Sequence, residues 1–189
     1  MIGKIIQKIR YLILIRFSPI MKAGYKSKSK FLKNTRISNT TFIDCKEQLN
    51  IEDNVFIGHH NFIEASNGIT IEEGCQITNF ITITSHSSHD SIRLYGKKYG
   101  IKKDKIGYEK GSVFIGKYTF VGPHSTILPN TKIGKGSIVA AYSYVKGDFP
   151  DFSIIAGNPA KIIGNTKDRD KTYLEKYPEL KEMYDEWAN

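Results

Sequence analysis

Two histidines in the middle of the chain are well placed for acid–base chemistry. His86 and His89 follow a short apolar run that begins at Ile81, and Asp90 comes next. Imidazole titrates near neutral pH, so a histidine can accept the proton of an attacking hydroxyl group. A carboxylate often orients such a histidine, and Glu64, Asp90 or a backbone carbonyl are the candidates for this role. Neither of the two cysteines lies in a nucleophile motif, so we expect chemistry without a covalent intermediate.

The elements that must hold these side chains are short strands, because aliphatic residues recur every six positions. The downstream array is unbroken: Ile115, Val121, Ile127, Ile133, Val139 and Val145. The upstream array has a two-residue slip near residues 67–70: Ile51, Ile57, Ile63, Ile71, Ile77 and Ile83. A period of six fits neither an α-helix nor one amphipathic strand, whereas it fits a solenoid in which each hexad supplies a strand and a turn. The spacing therefore predicts an all-β solenoid with the aliphatic residues inside.

Composition divides the chain into three segments. Residues 1–36 are apolar and basic and predict an N-terminal helical segment, whereas residues 37–165 carry the hexads. Residues 166–189 predict a C-terminal helix that is interrupted at Pro178. An insertion at about 88–112 has no six-residue period and is rich in lysine and tyrosine. A loop of this length either covers a site or is solvated.

The formal net charge of +9 indicates an anionic partner. No nucleic-acid-binding motif accompanies the basic residues, so we expect no nucleic-acid partner. The apolar start of the chain is too short and too charged to span a bilayer, and it lacks a signal-peptide cleavage site. Residues 1–36 either lie on a membrane surface or pack on the protein itself or a neighbouring subunit. With only two cysteines in the chain, we expect a cytoplasmic protein, with peripheral contact to the inner face of the membrane left open.

The end of the hexads carries the most specific sequence in the chain. It reads Ile133-Gly-Lys-Gly-Ser-Ile-Val-Ala-Ala-Tyr-Ser-Tyr-Val-Lys-Gly-Asp148, followed by Ile155-Ala-Gly-Asn-Pro-Ala-Lys161. Together with the hexads, this segment resembles the hexapeptide-repeat acyltransferases, and among them the maltose and galactoside acetyltransferases and their polysaccharide-modifying relatives. The resemblance covers about residues 37–165. It implies a left-handed parallel β-helix, a homotrimer with active sites between subunits, and acetyl-CoA as the donor.

The resemblance also implies roles for individual residues. His86 corresponds to the general base of the family, with His89 as the alternative. Residues implied at the acceptor are His60, Asn79, His89 and Phe120. Residues implied at acetyl-CoA are Gly122, Ala140, Ala141, Lys146 and Lys161.

The expected function is O-acetyl transfer from acetyl-CoA to a hydroxyl group of a saccharide or cell-surface glycan, by direct transfer and without a metal. N-acetylation of an amino-sugar nucleotide and acetylation of a xenobiotic are alternatives that the acceptor residues leave open. The solenoid also resembles the γ-class carbonic anhydrases, which bind zinc through three histidines. The spacing of the five histidines in this chain does not match that pattern. A non-catalytic scaffold is a further alternative.

Overall fold

The protein is described by a computed structural model, which covers residues 2–189. In chain order the strands are β1 (Met21–Ser27), β2 (Lys30–Ser38), β3 (Phe42–Asp44), β4 (Leu49–Ile51), β5 (Phe56–Ile57), β6 (Phe62–Glu64), β7 (Ile69–Ile71), β8 (Gln76–Ile77), β9 (Thr82–Thr84), β10 (His86–Ser87), β11 (Glu109–Lys110), β12 (Val113–Ile115), β13 (Phe120–Val121), β14 (Thr126–Ile127), β15 (Thr131–Ile133), β16 (Ile138–Val139), β17 (Tyr144–Val145), β18 (Asp148–Phe149), β19 (Ser153–Gly157) and β20 (Ala160–Asn165). The helices are α1 (Ile2–Phe17), α2 (Ser91–Tyr95), α3 (Thr166–Lys176) and α4 (Lys181–Ala188). Short 3-10 turns lie at Lys46–Gln48, Gly96–Lys98 and Pro178–Leu180.

Three walls of parallel strands form the solenoid. Wall A contains β2, β5, β8, β13, β16 and β19, wall B contains β3, β6, β9, β14 and β17, and wall C contains β4, β7, β12, β15 and β18. Successive hexads supply strands to walls A, B and C in turn, so three hexads complete one coil. The predicted all-β solenoid, with its inserted loop and terminal helices, is confirmed.

The aliphatic residues of the hexads fill the interior between the walls. In wall A, Ile57 pairs with Ile77, Ile77 with Val121, and Val121 with Val139, so the side chains form a continuous column. All four side chains are fully buried, and each contributes about 2 kcal/mol by leaving water. The period of six is therefore the period of the core.

The N-terminal segment corrects one prediction. Helix α1 ends at Phe17, and residues 21–38 form the antiparallel hairpin of β1 and β2, so the helical segment predicted for residues 1–36 is wrong beyond the helix. Ile37 in β2 pairs with Ile57 of β5 in wall A, and Leu32 in β2 is fully buried. The hairpin forms because it hydrogen-bonds the strand edge that the first coil would otherwise expose.

Two helices rather than one close the other end of the chain. Asn165 caps α3 by accepting a hydrogen bond of 2.8 Å from the amide of Lys167. The predicted interruption at Pro178 lies between α3 and α4. In α4, Trp187 packs against Phe152 of the last coil. No helix within residues 2–189 combines the length and the apolar character needed to cross a bilayer.

Candidate active site

The inserted loop leaves the solenoid between walls B and C and returns beside its own starting point. Strand β10 pairs with β11, which places His86 opposite Lys110 and Ser87 opposite Glu109. The amide of Gly111 also donates to the carbonyl of Ser85 at 3.0 Å. The loop therefore has its two ends hydrogen-bonded together, and His86 lies at that junction.

A carboxylate on the preceding coil orients His86. The parallel pairing of β6 with β9 places Glu64 opposite Thr84, two residues before His86. Glu64 Oε2 lies 2.7 Å from His86 Nδ1, and Ser66 Oγ lies 3.3 Å from the same nitrogen. Asp90, the other carboxylate considered for this role, contacts His89 and Arg93 instead.

Glu64 is buried but remains ionised. Burial alone would raise the pKa of its carboxyl group, but hydrogen bonds from Ser66 and Ser85 outweigh burial and lower the pKa to about 2. The amide of Ser66 donates to Oε1 at 2.8 Å, and the amide and hydroxyl of Ser85 donate to Oε2 at 3.1 and 3.0 Å. A full negative charge therefore lies beside the imidazole at neutral pH.

This contact determines which nitrogen of His86 can act as a base. An ionised carboxylate only accepts hydrogen bonds, so Nδ1 of the neutral imidazole carries the hydrogen and Nε2 carries the free lone pair. Nε2 makes no hydrogen bond within the described chain, and the side chain is 35% exposed. The arrangement of Glu64 and His86 is that of a general base held by its orienting carboxylate.

The inserted loop adds an aromatic side chain that the sequence analysis did not assign to the site. The ring of Tyr108 stacks on His86, with ring centroids 5.6 Å apart and an interplanar angle of 11°. Burial raises the pKa of Tyr108, so its phenol stays protonated at neutral pH. Tyr108 lies in the insertion, where no repeat predicts its position, so only its proximity in sequence to β11 could have indicated this contact.

Several residues predicted for the site lie at a different edge of the solenoid. The turns from wall A to wall B, which we call the A/B turns, are residues 58–61, 78–81, 122–125 and 140–143. These turns contain five of the predicted residues: His60, Asn79, Gly122, Ala140 and Ala141. His86 follows wall B, so wall B separates it from all five within one chain.

The remaining predicted residues are divided between these regions. Phe120 lies on the outer face of wall A and is 39% exposed, so its ring does not pack in the core. Lys161 is exposed on β20, which pairs with wall A. His89 lies on the loop near His86, and its Nδ1 is 2.8 Å from Ser87 Oγ. Lys146 lies on the same edge as His86, with its Nζ 2.6 Å from Glu109 Oε1 of β11.

The A/B turns also carry a stack of rings that the sequence analysis did not identify. His60, Phe80, His124 and Tyr142 occupy the same turn position, with φ between 58° and 61°. Successive ring centroids are 5.2, 4.9 and 4.8 Å apart. The shared left-handed backbone directs each ring onto the ring of the next coil. The signal in sequence is their common offset from the buried aliphatic residues.

Comparison with known proteins identifies the repeats. Residues 112–147 match the family model described as bacterial transferase hexapeptide (six repeats). These residues are hexapeptide repeats. The chain is 35% identical over 113 residues to the putative lipopolysaccharide biosynthesis O-acetyl transferase WbbJ of Escherichia coli (strain K12). That alignment covers 59% of this chain and 57% of the relative, so the chain spans less than two thirds of that relative's length.

Two other similarities extend over more of the chain. A dTDP-4-amino-4,6-dideoxy-D-glucose acyltransferase of Escherichia coli is 29% identical over 143 residues, which cover 75% of this chain and 72% of that protein. The solved structure of a point mutant of AntD, an N-acyltransferase from Bacillus cereus in complex with dTDP and Coenzyme A, matches with a TM-score of 0.56. It is 21% identical, and the match covers 76% of this chain and 89% of that chain, which shows a shared fold.

The five histidines do not assemble with other side chains into a metal centre within the described chain. Among residues 2–189, no three histidine, cysteine, aspartate or glutamate side chains lie close enough together to hold a metal ion. The side chains of His59 and His60 are neighbours, with ring centroids 6.3 Å apart. His86 contacts Glu64 and lies in another part of the solenoid.

Proposed function

We propose that this protein transfers an acetyl group from acetyl-CoA directly to a hydroxyl group of a saccharide, with His86 as the general base. The observation that carries the proposal is the 2.7 Å contact between His86 Nδ1 and the ionised Glu64. It leaves the lone pair of Nε2 available at an exposed position beside the inserted loop. The similarity to WbbJ, whose name describes a putative O-acetyl transferase of lipopolysaccharide biosynthesis, supports a saccharide as the acceptor.

The proposed reaction has one addition and one elimination step. Nε2 of His86 takes the hydroxyl proton while the acceptor oxygen attacks the thioester carbonyl. The carbon–sulfur bond then breaks, and the CoA thiolate receives the proton from the imidazolium. The charge of Glu64 stabilises that imidazolium, and the carboxylate itself keeps no proton, in agreement with its low pKa.

The A/B turn at Ala141 is the proposed binding site for the pantetheine arm of the donor. Ala141 is exposed, and neither its amide nor its carbonyl makes a hydrogen bond within residues 2–189. An extended amide-bearing ligand could pair with both groups, as a strand does. A Cβ at Gly122 would lie 2.6 Å from Ala141 N, so this turn requires glycine on the coil beneath it. We assign Ala140 to the same turn and Lys161 to the CoA phosphates.

A homotrimer would explain why wall B separates the proposed donor residues from His86. In one chain, Ala141 and His86 lie at the two opposite edges of wall B. We propose that the edge carrying His86 in one subunit faces the A/B turns of another, where His60, Asn79 and Phe120 contact the acceptor. Mass measurement in solution tests this proposal, and a monomer that remains fully active would contradict it.

The catalytic proposal is tested by measuring CoA thiol release from acetyl-CoA with a panel of saccharides. We expect transfer to at least one sugar hydroxyl, and we expect His86→Ala to lower kcat by about 10²- to 10⁴-fold. KM for acetyl-CoA should change little, because His86 acts on the acceptor proton and makes none of the proposed contacts with the pantetheine arm. If His86→Ala retains full acetyl transfer while His89→Ala loses it, His89 is the base and the assignment fails.

N-acylation of an amino-sugar nucleotide is the second candidate function. A relative with similarity over three quarters of this chain is named as an acyltransferase of dTDP-4-amino-4,6-dideoxy-D-glucose. AntD, which shares the fold, is named as an N-acyltransferase and was solved in complex with dTDP and Coenzyme A. Inclusion of amino-sugar nucleotides in the panel separates the two functions. Acylation of the amine with no transfer to any hydroxyl would replace the O-acetyl assignment.

We also propose that residues 1–36 hold the protein at an anionic membrane surface on the cytoplasmic side. These residues contain ten lysines and arginines and no acidic residue, whereas residues 37–189 contain eighteen basic and nineteen acidic residues. The whole positive excess of the chain therefore lies in this segment. Each such charge near an anionic surface contributes about 1 kcal/mol.

Helix α1 provides the apolar component of this contact. Ile5, Ile9 and Leu12 share one face, and each is more than half exposed. Lys8 borders this face and Lys4 lies further round the helix on the same side, so positive charge lies beside the apolar side chains, where it can reach lipid headgroups. Co-sedimentation with vesicles of phosphatidylglycerol and of phosphatidylcholine tests the contact. We expect binding to the anionic vesicles that is lost at about 0.5 M salt, where charges are screened within a few ångströms.

A charge-reversal pair provides the control for the membrane contact. Lys4→Glu/Lys8→Glu should abolish vesicle binding, whereas Lys97→Glu/Lys98→Glu makes the same change of charge on the inserted loop and should retain it. Equal sedimentation with neutral and anionic vesicles, or equal loss in both variants, would contradict the proposal. If the protein self-associates in the absence of vesicles and salt does not reverse this, α1 contacts a second copy of the chain.

A further inference from the structure

The inserted loop forms an open pocket that none of the roles above explains. The pocket, which we call the loop pocket, has a volume of about 440 Å³, in the range of small-molecule sites. Its lining is Tyr99, Lys103, Asp104, Lys105, Tyr108 and Lys110. All six residues come from the insertion and its return strand, so the loop builds this site independently of the hexads.

The loop pocket lies directly beside the proposed base. Tyr108 lines the pocket and stacks on His86 at 5.6 Å. Lys110 also lines it and is the cross-strand partner of His86. A molecule in this pocket would therefore lie next to the group that removes the acceptor proton.

The charge of the lining favours an anion. It contains three lysines and one aspartate, and none of the three lysines forms an ion pair with a carboxylate among the side chains that the structure describes. Lys105 Nζ lies 4.7 Å from the centre of the Tyr99 ring. By contrast, Lys146 at the base of the same loop is neutralised by Glu109 at 2.6 Å. With Asp104 included, the lining of the pocket therefore carries an excess of positive charge.

We infer that the loop pocket binds a carboxylate or phosphate group of the acceptor, so that the protein selects acidic saccharides. This inference rests on the proposed function, because it takes the acceptor to be a saccharide. Lysine ammonium groups bind such anions by charge-assisted hydrogen bonds, and the faces of Tyr99 and Tyr108 suit the apolar face of a sugar ring. The phosphates of CoA have the same chemistry, so the test must separate the donor from the acceptor.

The experiment compares acidic and neutral sugars of matched shape. Binding of glucuronic acid, glucose 6-phosphate and glucose is measured by calorimetry in the presence of CoA, and acetyl transfer is measured by thiol release. We expect an acidic sugar to bind at least about tenfold more tightly than glucose. In Lys103→Ala/Lys105→Ala this preference should fall below about threefold, with KM for acetyl-CoA unchanged.

A matched variant on the same loop is the control. Lys97→Ala/Lys98→Ala removes the same charge from the loop outside the pocket lining, so it should keep the preference for acidic sugars. Absence of any preference in the wild type, or equal loss in both variants, would overturn the inference. A rise in KM for acetyl-CoA in Lys103→Ala/Lys105→Ala would also overturn it, because the pocket would then bind the donor phosphate. If the binding preference is preserved but no sugar causes thiol release from acetyl-CoA, the proposed acetyl transfer is refuted, whereas the anion site is still supported.

Discussion

Replacement of Glu64 by glutamine tests the central contact of the proposed site. Glu64→Gln keeps the size of the side chain but removes its charge and one acceptor oxygen. Ser66, Ser85 and His86 all donate hydrogen bonds to the two carboxylate oxygens. In the glutamine variant the NH2 group takes the place of one oxygen, so a hydrogen-bond donor then points at another donor. The lowering of the Glu64 pKa from 4.5 to about 2 corresponds to about 3 kcal/mol of stability at neutral pH.

The pH dependence distinguishes this loss from an ordinary packing defect. The pKa of Glu64 is depressed in the folded state, so its stabilisation is complete above the unfolded value of 4.5 and disappears as pH falls towards 2. Urea unfolding should therefore show Glu64→Gln to be about 3 kcal/mol less stable at pH 7, with the difference decreasing below pH 4.5. The control is Glu73, a partly exposed ion-pair partner of Lys117, and Glu73→Gln should cost less than about 1 kcal/mol.

Kinetics provides the second measurement on the same variant. Loss of the charge beside the imidazolium removes a charged hydrogen bond worth about 1.5–3 kcal/mol, so kcat should fall about 10- to 100-fold. KM for acetyl-CoA should remain within about threefold, because Glu64 contacts His86 and has no proposed contact with the donor. A variant that is less stable but retains the wild-type kcat would show that Glu64 is only structural. A stability difference that is the same at pH 7 and pH 3 would refute the assigned ionisation.

Three further substitutions test other parts of the solenoid. Ile127→Ala should lower the free energy of unfolding by about 2–5 kcal/mol in urea titration, because the side chain is fully buried. Gly122→Ala should raise KM for acetyl-CoA, since its Cβ would lie 2.6 Å from Ala141 N; an unchanged KM would remove this turn from the donor site. Lys135→Met should release α4 to proteolysis, because Lys135 Nζ donates to three carbonyls at its end, whereas exposed Lys132→Met should not.

The fold was more predictable than the site because the hexads repeat along the sequence. The same period determines register, and in the first coils the repeat from coil to coil within one wall is twenty residues, as between Phe62 and Thr82. This register places Ser66 beneath His86 and Glu64 beneath Thr84, so the choice of Glu64 over Asp90 was available once the coil length was known. To find the coil length from the sequence, the two extra residues near 67–70 had to be assigned to a single longer turn.

Features without a period could not be predicted in the same way. Residues 21–38 resemble the preceding helix in charge, and only their pairing with wall A explains why they form a hairpin. The contact of Tyr108 with His86 depends on how the insertion folds back. In the proposed homotrimer, the position of Ala141 relative to His86 depends on a second subunit, and no pattern within one chain determines how two chains meet.

The closed ends of the inserted loop have a consequence for how acceptor choice can change. Because β10 pairs with β11 and Gly111 bonds to Ser85, the solenoid on both sides of the insertion is independent of what the loop contains. Loop closure depends only weakly on length, so residues can be added or exchanged between Ser88 and Tyr108 at small cost in stability. The imidazole and its carboxylate stay in place through such changes. Acceptor specificity could therefore diversify by loop exchange while the chemistry and the donor site are inherited unchanged.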